Sequence, residues 1–346
     1  MLRRALLEAA VTTASGSKRN IVELMQVEES ARDINWLQES LQNAVELELA
    51  TLPVYLSGLW SIKDPTQEAY TLVDSVIMEE MLHLGLTSNM LKAIGGSPQF
   101  IVPTYPGPLP GGVRPDLSVY LAGLTQDSVG MYMQIEMPEH PLALAAETFP
   151  TIGAFYDAVL ACFQAENPPI STNGQQKHSL SVPNPNNGQN ISEPLTVLGT
   201  LADVEQAITL IKDQGEGTST SPDAPEFGGE LSHYYRFGEI YNGKRLIQVD
   251  GKWEYAGDPV PFPDCYPVAQ VPEGGYPDFQ PLMGTFDTQL STLLSNLEQA
   301  WAGGGSGTSL NSAIGVMFQL AGTAGQIVTQ PLPGGGGNYG PDFKPA

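Results

Sequence analysis

Only two of the 346 residues are cysteine, Cys162 and Cys265, and only fifteen are lysine or arginine. Two isolated cysteines cannot build a disulfide framework or a thiolate metal site. Cys162 falls on a predicted helix and reads as a small core residue. Against the fifteen bases stand thirty-eight acids, a net charge of −23 with no basic cluster. Nucleic acid and anionic membrane surfaces need cations to neutralise phosphate, so both are excluded as partners. No apolar run approaches the roughly 20 residues of a membrane span. The opening MLRRALLEAAVTTASGS imitates a secretion signal, but Glu8 interrupts its apolar run, and a cytoplasmic protein is expected. No P-loop, dinucleotide fingerprint or Ser-His-Asp arrangement is present. Charged residues are scarce at 15% while apolar residues reach 41%. The polar complement is therefore Gly, Pro, Ser, Thr, Asn and Gln, which predicts long ordered loops around a compact body.

What is there is helical periodicity. Residues 31–62 carry a stripe spaced three and four apart: Ile34, Leu37, Leu41, Ala44, Glu48, Leu52, Tyr55, Leu59. Glu48 is its one acid, and Pro53 is expected to loosen or kink the helix just beyond it. KDPTQ then starts a second helix, with Asp64 as N-cap and Pro65 at the first helical position. Its stripe reads Ala69, Val73, Val76, Glu80, His83, Thr87, Met90, Ile94, and Gly95-Gly96 ends it. Residues 97–146 form a Pro- and Gly-rich crossover with short ordered pieces at SVYLAGL and MYMQIEM. A third helix is expected over 149–166, a loop over 167–194, a shorter helix from Leu195 to about Asp213, and a fourth bundle helix over roughly 226–243. Beyond it, GKRLIQVDGKWEYAG predicts a hairpin through Asp250-Gly251. Two more helices are expected near 284–302 and 309–328, then an extended tail.

Histidine is the scarcest polar residue: His83, His140, His178 and His233. Two of the four follow a glutamate by three positions, Glu80 before His83 and Glu230 before His233. Positions i and i+3 share a helix face, so each pair can point at one object. Ionisable groups inside a bundle are costly unless something compensates them, and a cation does so. Carboxylate and imidazole suit iron, manganese or zinc. Di-iron carboxylate bundles take one Glu from each of two helices and Glu-x-x-His from each of the other two. This chain offers one single-Glu helix and both Glu-x-x-His segments. Asp74 and Glu79 lie off the stripe and are expected to be solvated or paired; His140 and His178 are expected on surface loops. Arg236 is placed to bond an acid of the site or to make a plain salt bridge, and Tyr55, Tyr234 and Tyr235 to fill the core or donate to a ligating carboxylate.

The strings LELATLPVYLSGLWSI, EEMLHLGLTSNMLKAIGGSP, PTYPGPLP, QGEG and ELSHYYRFGEIYNGKRL resemble the ferritin-like domain associated with iminophenyl-pyruvate dimer synthase. The resemblance runs over roughly residues 30–345. It implies a mainly α protein: a ferritin-like four-helix bundle with a long crossover and extra C-terminal helices and loops. Residues 1–30 would be an N-terminal extension, 31–243 the bundle, and 244–346 an irregular segment and helices packed on it. It also implies a metal shell of Glu48, Glu80, His83, Glu230 and His233, with Glu80 and Glu230 as candidates to bridge two ions and the histidines terminal. The metal would be iron, as two ions or one, with manganese or zinc as alternatives. In the third helix Ala154 stands where the family pattern has an inward glutamate, and Asp157 is the nearest substitute. That leaves an asymmetric two-ion site, a single ion, or a lost activity. The function implied is a non-haem iron oxidoreductase acting on a small, amino-acid-derived aromatic substrate, alone as a homo-oligomer or with a biosynthetic partner enzyme. The alternative is a non-catalytic metal-binding or structural accessory bundle. Iron storage is disfavoured, because the crossover and C-terminal additions would obstruct packing into a closed shell.

Overall fold

The computed structural model describes residues 18–138, 152–185, 189–216, 221–224, 230–303 and 308–346. His140 lies outside them. A short helix α1 (Ile21–Met25), closed by a reciprocal Asn20–Glu23 capping box, precedes the two long helices α2 (Ile34–Ser61) and α3 (Glu68–Ala93). Asp33 starts α2 by accepting from the Trp36 amide, and α2 continues through Pro53 without interruption. Asp64 does not cap α3: it accepts from the Thr66 amide and hydroxyl, so it organises the preceding turn and leaves Gln67 at the N-cap without a side-chain bond.

The crossover that follows is long, and within it lies α4 (Gln126–Ile135), opened by a Thr125–Ser128 capping box. Next come α5 (Ile152–Glu166), the antiparallel hairpin β1 (His178–Pro183) and β2 (Asn190–Leu195), and α6 (Leu201–Glu216). The hairpin corrects the expectation of a structureless 167–194. A two-residue ladder pairs β3 (Asp223–Ala224) with β4 (Glu230–Leu231) immediately before α7 (His233–Asn242). After α7, β5 (Lys244–Val249) and β6 (Lys252–Pro259) form the predicted hairpin. Its turn residues Asp250 and Gly251 have φ of 50° and 78°, the left-handed geometry that a two-residue turn demands. Helices α8 (Leu282–Ala302) and α9 (Thr308–Ile327) pack on each other.

Four helices close a ring: α2 packs on α3, α3 on α7, α7 on α4, and α4 on α2. This is the predicted mainly α, ferritin-like bundle with a long crossover. The third wall is α4 rather than the expected 149–166 helix. That segment, α5, lies outside the ring against α2 and α6. Ala161 and Ala165 on it are exposed. The inward face is Phe155, Tyr156, Val159 and Phe163, each 0% exposed. Helix α8 lies against α3 and α9 against α2. The C-terminal segment is laid over the body, with the Phe343 ring stacked on Trp60 at 5.8 Å and edge-on to Phe286 at 5.1 Å.

Candidate metal centre

Glu48 projects from the middle of α2, and Glu80 and His83 project one turn apart from α3. Glu136 sits at the C-cap of α4, and His233 is the first residue of α7. All five are buried, at 0–8% exposure. They form two overlapping groups, Glu48 with Glu80 and His83, and Glu80 with Glu136 and His233. Within each group the ligand atoms lie within 4.8 Å of one another. Glu80 belongs to both. Its Oε1 is 3.6 Å from His83 Nδ1 and 2.8 Å from His233 Nδ1, while Oε2 accepts from the Thr51 hydroxyl at 2.8 Å. The two imidazole rings lie side by side, centroids 5.5 Å apart and planes 23° off parallel.

Each inward group is held from behind. His83 Nε2 meets Gln214 Oε1 at 2.8 Å, and the Gln214 amide donates to Glu193 of β2 at 3.0 Å. His233 Nε2 donates to Glu79 at 2.9 Å. Arg236 clamps both Glu79 oxygens, at 2.8 and 2.9 Å, and also reaches Ser75 and the Leu231 carbonyl. With Nε2 engaged in this way, both histidines turn Nδ1 toward the centre. Tyr156 donates to Glu48 and Tyr55 to Glu136, both through short hydrogen bonds. Carboxylate–histidine pairs and phenol–carboxylate bonds of this kind orient metal ligands and raise their basicity.

The electrostatics show what the cluster lacks. Burial, then the charge on Glu80, pushes the Glu48 carboxyl up to about 8. The same two causes in the same order raise Glu136. Burial also acts to raise Glu80, but the facing imidazoles, His233 before His83, hold it below the usual carboxylate range. Burial opposes protonation of His233, yet Glu136, Glu79 and Glu80 together raise it well above an ordinary histidine. Its buried Nδ1 has no hydrogen-bond partner, although it faces carboxylate oxygens of Glu80 and Glu136 at 2.8 and 3.5 Å. A nitrogen crowded by buried carboxylates in this way fits a cation, which would satisfy nitrogen and oxygens together.

Glu230, expected in the shell, is not brought there. The stretch before α7 is extended: β4 pairs with β3, Ser232 has ψ of 164°, and its amide bonds the Pro222 carbonyl. Glu230 and His233 therefore do not share a helix face. Glu230 turns to Arg236 at 3.3 Å, with its Oε1 unpartnered and its carboxyl raised to about 7 by burial. Glu79 is not solvated: it is 0% exposed and paired, the buttress of His233. Asp157 is exposed and pairs with Lys212, so it does not substitute for Ala154. The carboxylate that sequence reasoning missed is Glu136. Its signal was the stripe Val129, Tyr132, Glu136 inside the crossover, spaced three and four like the stripes of α2 and α3.

A small cavity of about 40 Å³ opens onto this cluster. Glu48, Glu80, His83 and Glu136 form its floor, and Leu47, Ile135, Met137, Ile152, Tyr156 and Ile211 its walls, with Lys212 as the cationic member of the lining. Its lining is mostly apolar and ends in a few convergent polar groups, and its volume suits nothing larger than a few waters.

A ring of four helices aiming carboxylates and imidazoles at a shared interior point defines a ferritin-like protein. Residues 41–242 match the family described as Ferritin-like, and the chain belongs to that family. It is similar in structure to a ferritin-like protein from Caulobacter vibrioides, with a TM-score of 0.58 and 26% sequence identity, over 84% of this chain and 93% of that one. Comparison with curated proteins gives no match.

Proposed function

We propose that this protein is a metal-dependent oxidoreductase of the non-haem iron type, acting on a small organic substrate that approaches by way of the cavity beside Glu48, Glu80 and Glu136. The observation that carries this reading is the juxtaposition of five buried ligand groups with a small, mostly apolar cavity. A purely structural ion is closed off by its protein ligands, whereas a catalytic one keeps an open face, and here four of the five groups line the cavity. Glu48, Glu80, His83, Glu136 and His233 would hold the metal as one ion or two, with iron the first choice and manganese or zinc compatible with the same donors. Bound iron supplies dioxygen activation; the chain's own residues supply position and dryness. Leu47, Ile135 and Ile211 exclude water, Tyr156 and Tyr55 fix the carboxylate rotamers, and Glu79 and Gln214 hold each imidazole with Nδ1 inward.

For the substrate we favour an amino-acid-derived aromatic compound, as in the iminophenyl-pyruvate dimer synthase type. What supports this is the apolar wall around the floor and the motif resemblance, and a homo-oligomer or a biosynthetic partner enzyme belongs to the same reading. No helix among the described residues is long and apolar enough to cross a membrane. The test is anaerobic loading of purified protein with Fe(II), followed by admission of oxygen. Retained iron and oxygen consumption, both lost in His83→Ala/His233→Ala, are the expected results. Iron retained without oxygen consumption under any substrate would transfer the protein to the non-catalytic accessory class.

A further inference from the structure

We infer that the two ligand groups are unequal: Glu80, Glu136 and His233 hold a resident ion, and Glu48, Glu80 and His83 hold an exchangeable ion that meets the substrate. This rests on the reading of the cluster as a metal centre. Three observations carry it.

First, the described residues bring three carboxylates to the cluster where a symmetric two-ion bundle would take four, because Glu230 is drawn away to Arg236. Glu80 must then serve both positions, and one oxygen, Oε1, faces both histidines. An oxygen already bound to one cation gives less to a second, so loading is sequential whichever position fills first.

Second, the buttresses differ. His233 Nε2 donates to a carboxylate, Glu79, itself fixed by the bidentate Arg236, whereas His83 Nε2 faces the neutral amide of Gln214. A carboxylate behind an imidazole makes the opposite nitrogen the stronger ligand, and such outer partners are worth about 10–100-fold in metal affinity. Third, access differs. All three members of one group, Glu48, Glu80 and His83, line the cavity, whereas the other group presents Glu80 and Glu136 to it but not its histidine. The position with the weaker histidine is thus the one that opens to the cavity with its whole ligand set.

The test is anaerobic Co(II) titration of the metal-stripped full chain, followed by calorimetry and visible absorption, with azide as the probe of an open coordination position. Two steps are expected, the first at least tenfold tighter, and azide shifts the Co(II) spectrum only once the second equivalent is bound. Glu48→Gln/His83→Ala loses the weak step and keeps the tight one; Glu136→Gln/His233→Ala loses the tight step. Should a double variant not fold, the azide titration of the unaltered protein decides by itself. Two equal equivalents, azide perturbing the first equivalent, or loss of the tight ion in Glu48→Gln/His83→Ala would overturn the inference while leaving a metal centre. No Co(II) binding by the unaltered protein would defeat the metal-centre reading itself.

Discussion

The bundle has two unlike halves. On one side α2 and α3 are continuous over Ile34–Ser61 and Glu68–Ala93, and their ligands Glu48, Glu80 and His83 come from mid-helix, where neighbouring turns fix the side-chain direction. On the other side α4 and α7 are ten residues each, and their ligands come from the ends: Glu136 from the C-cap of α4, His233 from the first position of α7. A ligand at a helix end lacks the support of flanking turns. Here that support is replaced by explicit bonds, Tyr55 to Glu136 and the Arg236–Glu79 clamp to His233. Long helices add periodicity to the polar contacts that hold Glu48, Glu80 and His83; short ones rest on such contacts alone.

The largest effect that sharpens this contrast is at the residue common to both sides. Glu80→Gln removes the shared carboxylate charge, and metal affinity should fall by about 100-fold or more at both positions, read by bound-metal analysis after dialysis. Next comes the clamp. Glu79→Gln leaves the buried Arg236 guanidinium without its bidentate acceptor, and stability should drop by about 3 kcal/mol in urea unfolding. Affinity at the His233 side should fall about tenfold while the His83 side is spared; an equal loss on both sides would break the contrast. Tyr55→Phe removes one hydrogen bond to a ligating carboxylate and should cost about 1 kcal/mol. Glu230→Gln should leave metal content unchanged, since its carboxyl faces Arg236; a loss of bound metal would restore it to the shell.

A third group of acids, Asp342 buried and Asp287 half-buried, provides a control without imidazoles. Asp287 of α8 and Asp342 of the C-terminal segment oppose each other, each with an unpartnered Oδ1. Burial, then the neighbouring Asp342, pushes Asp287 up to about 7. An acid whose folded value exceeds its unfolded value binds more protons when folded, so stability is lost as pH rises from about 4 through 7. Tm should decline across that window, and the decline should be shallower in Asp287→Asn. An unchanged slope would show that the pair costs nothing.

The same contrast explains what could be seen in the sequence. The stripes of α2 and α3 carry seven and five apolar positions around their acids, so Glu48, Glu80 and His83 stand out as exceptions on a long regular face. The α4 stripe is ten residues within a Pro- and Gly-rich stretch, too short to announce a bundle helix, and the search for a third wall passed to the longer apolar run of α5. Glu230 misled for the converse reason. Glu-x-x-His has meaning only on a helix, and the backbone at 230–232 is extended because its hydrogen bonds go to β3 and Pro222. The hairpin β1–β2, with Ser, Asn and Pro on its strands, carried no strong strand pattern, yet it delivers Glu193 to Gln214.

The account is tested most directly by anomalous diffraction at the iron edge on crystals of Fe(II)-loaded protein. It predicts iron bound among Glu48, Glu80, Glu136, His83 Nδ1 and His233 Nδ1, with Glu230 still on Arg236 and, at limiting iron, the stronger peak beside His233. Iron coordinated by Glu230, or no iron between the two histidines, would contradict it.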